Sequence, residues 1–183
     1  MTFYLPPVLD VRDLPGPVLR AAALDGELWR VGDGYAPVDL PSDAASRALS
    51  LRGLAAGGRI LADRTAAWVW GAAPTLPEPR TVIVTAVAVA AHGNGVPEPG
   101  VRSRLARVPA EDLARPGGVA VTTPRRTAID LACAQGSVDD GVLCELIARA
   151  GTDVGAVIGQ LMEVRRLRGR DRAIARLQLL VTR

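Results

Sequence analysis

Val121-Thr-Thr-Pro-Arg-Arg-Thr-Ala-Ile-Asp-Leu-Ala132 is the stretch on which the fold turns. Thr123 carries a hydroxyl suited to capping a helix N-terminus. Pro124 fits the first helical position, where its missing N–H is no loss. The spacing predicts a helix from there to about Ala134. Arg126 and Asp130 stand four apart on it and can pair along its surface, while Ile129 and Leu131 to Cys133 cover the buried side. The pair reads as structural, tying this helix to an earlier one with Arg64 as the candidate link. Just upstream, Gly118 to Val121 reads as a short strand. The chain thus divides here into a front part that contains strands and a last third that is helical.

Downstream, Ser137 caps a second helix to about Ala150. A third starts at Thr152 or Asp153, with Val154, Val157, Ile158 and Leu161 at core spacing, and is broken at Gly169. A fourth, Asp171 to Val181, carries Ile174, Leu177 and Val181 on one face. Upstream, Val101 to Val108 sets Val101, Ser103, Leu105 and Ala106 against Arg102, Arg104 and Arg107, a half-buried strand with a basic outer face. Thr81 to Val89 is apolar on both faces, as in a central strand. Asp63 to Trp70 reads as a helix capped by Asp63 and ended by Gly71, with one of Trp68 and Trp70 in the core and the other partly exposed. Arg59 to Leu61 is a short strand. Pro41-Ser42-Asp43 opens a helix that runs to about Ala56. Pro15 to Leu24 is a short helix with Asp13 as its cap, followed by a hairpin of Leu28 to Val31 and Tyr35 to Val38 across Gly32-Asp33-Gly34. A helix and hairpin form the tail of a winged helix, and twelve preceding residues cannot supply its other two helices. The predicted fold is α+β: a truncated winged-helix-like helix–hairpin at 1–40, then a small mixed β-sheet and a C-terminal helical cluster at 41–183.

The core must be aliphatic, because only 3% of residues are aromatic while 49% are hydrophobic. The 22 basic residues are all arginine, which excludes P-loop and Schiff-base lysine chemistry. Their placement is uneven. Residues 1–100 carry 8 Arg against 10 acids, and residues 101–183 carry 14 against 9. A polyanion-binding surface is therefore expected in the C-terminal half. The candidate nucleic-acid contacts are Arg102, Arg104, Arg107, Arg165, Arg166, Arg168, Arg172 and Arg176, with Arg30 on the hairpin. Four of them, Arg165, Arg168, Arg172 and Arg176, fall at helical spacing, and a solvated helix face remains the alternative reading. The single histidine, His92, sits in a Gly-rich loop that gives a general base no rigid support. With Cys133 and Cys144 it forms no metal-ligand pattern. Both cysteines fall in apolar helical patterns that bury free thiols. No catalytic residue, metal or cofactor is expected. The start, Met1-Thr-Phe-Tyr-Leu-Pro-Pro, is not a signal peptide and no apolar run is long enough to span a membrane, so a cytoplasmic protein is expected.

Three segments resemble one family. Trp29-Arg-Val-Gly-Asp-Gly-Tyr35 is similar to the wing of AbiEi-type winged helices. Ile60-Leu-Ala-Asp-Arg-Thr-Ala-Ala-Trp-Val-Trp-Gly71 is similar to the family's Arg-Ser/Thr-Ala-Ala helix. Residues 121–132 match its Thr-Thr-Pro-x-Arg-Thr-x-x-Asp-Leu signature, which contains Thr123, Pro124, Arg126 and Asp130. The resemblance spans about residues 18–181. It implies an antitoxin of a type IV toxin–antitoxin system, with a winged helix that represses its operon and a C-terminal domain that counters a nucleotidyltransferase toxin. The chain departs from the family at Gly32-Asp33, where the wing tends to be basic, and it stops where many relatives begin a Vsr-like endonuclease domain. The expected function is a non-catalytic antitoxin or DNA-binding regulator. A protein-interaction module or orphan remnant that has lost DNA binding, and an accessory subunit of a separate nuclease, remain alternatives. The sequence leaves the oligomeric state open.

Overall fold

Prolines at 15 and 17 set the backbone for α1 (Gly16–Leu24), as expected from their fixed φ. Pro15 itself is the N-cap. Asp13, the expected cap, is engaged elsewhere: it accepts the Asp10 N–H at 2.9 Å and pairs with Arg52. The computed structural model describes residues 6–92, 98–164 and 167–182. After α1 come β1 (Leu28–Val31) and β2 (Gly34–Pro37), an antiparallel hairpin turning at Gly32-Asp33. Gly32 has a φ of 52°, and a Cβ there would lie 2.4 Å from Ser50 Oγ and 2.9 Å from Trp68 Cη2. Only glycine lets the turn approach the body of the protein so closely.

The capping box of Asp43 and Ser46 starts α2 (Ala44–Ser50). This helix is shorter than the sequence reading to Ala56. Beyond Ser50 the bonds tighten to i→i+3 (Leu51 N–H to Ala48, Arg52 N–H to Leu49). Arg52 reaches back to Asp10 and Asp13, and Gly53 weakens any continuation.

A mixed five-stranded sheet follows, in the order β5-β4-β3-β7-β6. Its members are β3 (Arg59–Leu61), β4 (Arg80–Val84), β5 (Val101–Leu105), β6 (Leu113–Ala114) and β7 (Val121–Thr122). β3 runs antiparallel to β4 and parallel to β7; β5 lies parallel to β4 at the edge. The expected strand at 81–89 is half correct. β4 stops at Val84, and α4 (Ala86–His92) takes the alanine-rich remainder, with Thr85 Oγ1 accepting the Ala88 N–H at 3.1 Å. The β-branched half is the buried half: Thr81, Val82 and Ile83. The rest of the Gly-rich loop, 93–97, and the His92 side chain lie outside the described residues.

α3 (Asp63–Val69) connects the sheet to the last third. Its Ala67 packs with Ala128, Leu131, Leu143 and Leu146 in an aliphatic core built on α5 (Pro124–Cys133) and α6 (Asp140–Arg149). Val157 and Leu161 of α7 (Val154–Glu163) and Ala173 and Leu177 of α8 (Arg170–Val181) complete it. Thr123 caps α5 as expected, and of the two residues at which the third helix could start, Thr152 and Asp153, Asp153 is the cap of α7. Asp139 rather than Ser137 caps α6, accepting from Gly141 N–H at 2.7 Å. α7 ends at Glu163, well short of Gly169, which instead sits left-handed at the N-cap of α8. Arg168 therefore lies outside the helix that carries Arg172 and Arg176, and these three do not form one helical stripe. Val181 is 62% exposed, so the inward face of α8 runs through Ala173 and Leu177. Cys133 is half-buried and Cys144 exposed, against the expectation that both are buried.

Candidate functional site

The threonines of the two motifs act as backbone clamps. Thr65 Oγ1 accepts the buried Thr81 N–H at 2.7 Å, fixing α3 to β4. Thr127 Oγ1 lies 2.8 Å from both the Thr122 hydroxyl and the Thr123 carbonyl oxygen, fixing the strand-to-helix junction. Trp70 donates its indole N–H to the Thr122 carbonyl at 2.8 Å, so it is anchored while Trp68 is buried. Gly71, at a φ of 75°, ends α3 where a Cβ would meet Arg47 Nη1 at 2.8 Å.

These clamps bring charged groups together. Arg126 Nε donates to Asp130 Oδ1 at 2.9 Å, the expected pair, and its Nη1 donates to Asp112 Oδ2 at 2.9 Å. The link to α3 is Arg104 of β5. Its Nη2 donates to Asp130 Oδ2 at 2.7 Å and to Asp63 Oδ1 at 2.9 Å, and its Nε to Asp63 Oδ2 at 3.2 Å. Arg64 does not make this link; it points outward and donates to the Ser137 carbonyl at 2.8 Å. Asp63, expected as a cap, has a φ of 52° and makes no cap hydrogen bond. Aspartate tolerates that left-handed backbone, and Arg104 holds its carboxylate from two sides.

Burial pushes the Asp130 carboxyl above its usual range, opposed by the Arg126 and Arg104 guanidiniums and assisted by the nearby Asp63. Burial also raises the Cys133 thiol, with Asp130 adding to it, so this cysteine rests as an unreactive thiol.

Beside the network lies a cleft of about 470 Å³, with Arg104, Arg126, Asp63 and Asp130 on one side and Cys133, Leu167, Arg168 and Arg172 on the other. The predicted cationic residues divide into two groups here. Arg104 is drawn inward to its carboxylates, contrary to the basic outer face read for β5, where Leu105 is 71% exposed instead. Arg176 donates to the carbonyls of Leu131, Ala132 and Gly136, capping the C-terminal end of α5. Arg172 gives one nitrogen to the Cys133 carbonyl at 3.1 Å. Arg30, Arg102, Arg107 and Arg168 are exposed, and their side chains make no ion pair or hydrogen bond with the described residues. Arg165 and Arg166 lie outside the described residues. At the hairpin turn, Asp33 is met by Arg80 at 2.5 Å. On α1, Val18 and Leu24 face solvent, 49% and 89% exposed, beside a single arginine, Arg20. All four oxygens of Asp63 and Asp130 accept from arginine, and no metal-ligand cluster occurs among the described residues. What this surface offers chemically is guanidinium N–H groups to an anion.

Residues 55–181 match the family model of the AbiEi antitoxin C-terminal domain. The chain belongs to the AbiEi family. Its role is of the antitoxin type. A search among curated proteins found no match. The AbiEi match contains the segments 60–71 and 121–132 and begins after the hairpin at 29–35. Both threonine clamps, the Arg104 bridge and the cleft therefore belong to the AbiEi domain, and so do all the candidate cations except Arg30. No helix among the described residues is long and apolar enough to cross a membrane.

Proposed function

We propose that this AbiEi chain is a non-catalytic antitoxin that pairs functionally with a nucleotidyltransferase toxin, and that it grips nucleic acid through arginines of the C-terminal half. The observation that carries this reading is the division among the charged groups. The carboxylates at the cleft are fully occupied by arginine, which leaves no free general acid or base there, whereas Arg168 at the cleft and Arg102 on β5 have side chains without a partner among the described residues. Arg102 precedes Arg104 by two residues on β5 and so shares its sheet face. Guanidinium groups set this way hold phosphates without reading bases, so binding is salt-sensitive and weakly sequence-specific. The apolar exposed face of α1 gives little for a DNA groove, and Arg30 alone represents the hairpin. Val8, Val31 and Ala36 share a core with Leu61 and Val82, which supports the described residues of the 1–40 segment, 6–40, as a packed extension of the 41–183 domain.

The test is co-expression with a nucleotidyltransferase encoded beside this gene. Relief of its growth arrest by the wild-type chain is expected. An adjacent nucleotidyltransferase whose arrest is untouched by a folded, well-expressed chain overturns the antitoxin pairing.

A further inference from the structure

We infer that the cleft between the Arg104–Asp130 network and the start of α8 is a binding site for a small phosphate monoester, such as a nucleoside monophosphate. The argument is one of charge and unspent donors. Four guanidiniums line the cleft, Arg104, Arg126, Arg168 and Arg172, against two carboxylates, Asp63 and Asp130. Every oxygen of those carboxylates already accepts from Arg104 or Arg126, so none points a free lone-pair face at an incoming anion without a cation beside it.

The arginines are not exhausted. Arg104 spends Nε and Nη2 and keeps Nη1; Arg126 spends Nε and Nη1 and keeps Nη2. Arg172 spends only Nη1, and Arg168 spends nothing on the described residues. Among the lining residues the excess charge is two positive units, with Asp112 outside the lining shared between Arg126 and Arg125, and a phosphate monoester carries roughly −1.5 to −2 at pH 7. The volume, about 470 Å³, lies within the range of about 300–1,000 Å³ usual for small-molecule clefts. Leu167 and Ala134 supply an apolar wall for the organic part of the ester. Arg104 and Arg126 are held in place by their carboxylates, so less side-chain entropy is lost on binding than with free surface arginines. The site shares Arg168 with the nucleic-acid reading, and the response to a free monoester is what tells the two apart.

The experiment is calorimetric titration of the full chain at low salt with AMP, inorganic phosphate and adenosine, for the wild type, Arg168→Ala and Arg168→Lys. AMP and inorganic phosphate are expected to bind at one shared site, and adenosine not to bind. Arg168→Ala should weaken AMP by about tenfold or more, the loss of one charge-assisted contact, while Arg168→Lys recovers part of it. Because Arg168 has no partner among the described residues, its substitution leaves the melting temperature unchanged. Affinity should also fall as the pH drops below about 6, where the ester loses its second charge. A short duplex without terminal phosphates separates the sources. AMP and inorganic phosphate binding that is lost in Arg168→Ala supports the small-ester site, and because Arg168 is shared the duplex is expected to compete with AMP. Duplex binding with no response to AMP overturns the site and leaves the nucleic-acid reading intact. Equal binding of AMP and adenosine, or an Arg168→Ala affinity equal to the wild type's, also overturns it.

Discussion

Asp130→Ala removes the carboxylate at the centre of the network and tests whether that network is architecture. Two charge-assisted hydrogen bonds disappear, to Arg126 at 2.9 Å and to Arg104 at 2.7 Å, from a side chain that is only 12% exposed. Breaking one partner of a buried pair costs about 3–5 kcal/mol when a charge is stranded. Here neither arginine is stranded, because Arg104 keeps Asp63 and Arg126 keeps Asp112. The burial cost of Asp130 itself is also relieved. The expected loss therefore falls below that range, at about 2 kcal/mol. For a chain of this size, roughly 2–4 °C of melting temperature accompanies each kcal/mol, which gives a fall of about 4–8 °C. Asp130→Asn, which keeps the shape and one acceptor, should lose about half as much. Thermal melts by circular dichroism read these values, and Arg104→Met combined with Asp130→Ala should be less than additive by about 1 kcal/mol or more. An unchanged melting temperature for Asp130→Ala, or strict additivity with Arg104→Met, would refute the view that this network joins α3, α5 and β5.

Thr65→Val leaves the buried Thr81 N–H without its acceptor and should cost about 1–3 kcal/mol, with faster hydrogen exchange at the Thr81 amide than at its β4 neighbours. Unchanged exchange at Thr81 would rule out the clamp. The Arg12 guanidinium and backbone N–H, with Arg52, hold Asp10 well below its ordinary 3.8 despite its burial. A depressed carboxylate contributes stability that is complete above the unfolded value and is lost as the pH falls through the folded one. The melting temperature should therefore drop on acidification below about pH 4 more steeply in the wild type than in Asp10→Asn, and parallel curves would contradict this. Purified chain with Mg or Mn should show neither nuclease nor nucleotidyl-transfer activity. Turnover that survives re-purification and is abolished by a point mutation in this chain would defeat the non-catalytic reading.

The parts of the fold that were legible in the sequence are those fixed by near neighbours in the chain. Thr123, Pro124, Arg126 and Asp130 act within one helix, and their cap and i,i+4 pair lie where the sequence places them. The hairpin at Gly32-Asp33 is equally local. What depended on distant partners was not legible. In sequence Arg104 reads with Arg102 as an outward cation, and the carboxylates that turn it inward lie 41 and 26 residues away. Arg176 reads as part of a cationic stripe because its use, on carbonyls at the end of α5, lies about 40 residues earlier. The run 81–89 is apolar throughout, and hydrophobicity does not distinguish a buried strand from a helix. Thr85 was the one local sign of the change, through its cap to Ala88. Ser137 and Asp139 are both able caps two residues apart, and only the packing of α6 selects Asp139.

A salt titration of duplex DNA binding bears most directly on the claim that this AbiEi chain works by binding through its C-terminal arginines. The wild type is compared with Arg102→Ala/Arg168→Ala and with Arg30→Ala, all in exposed side chains that make no ion pair with the described residues. Each phosphate contact removed lowers the slope of log affinity against log salt by about 0.9. The double variant should therefore flatten the slope by about 1.8 and weaken binding similarly across unrelated sequences, while Arg30→Ala changes the slope by at most one contact, about 0.9. Abolition of binding by Arg30→Ala, with affinity and slope intact in the double variant, would place the contact on the hairpin and contradict the account.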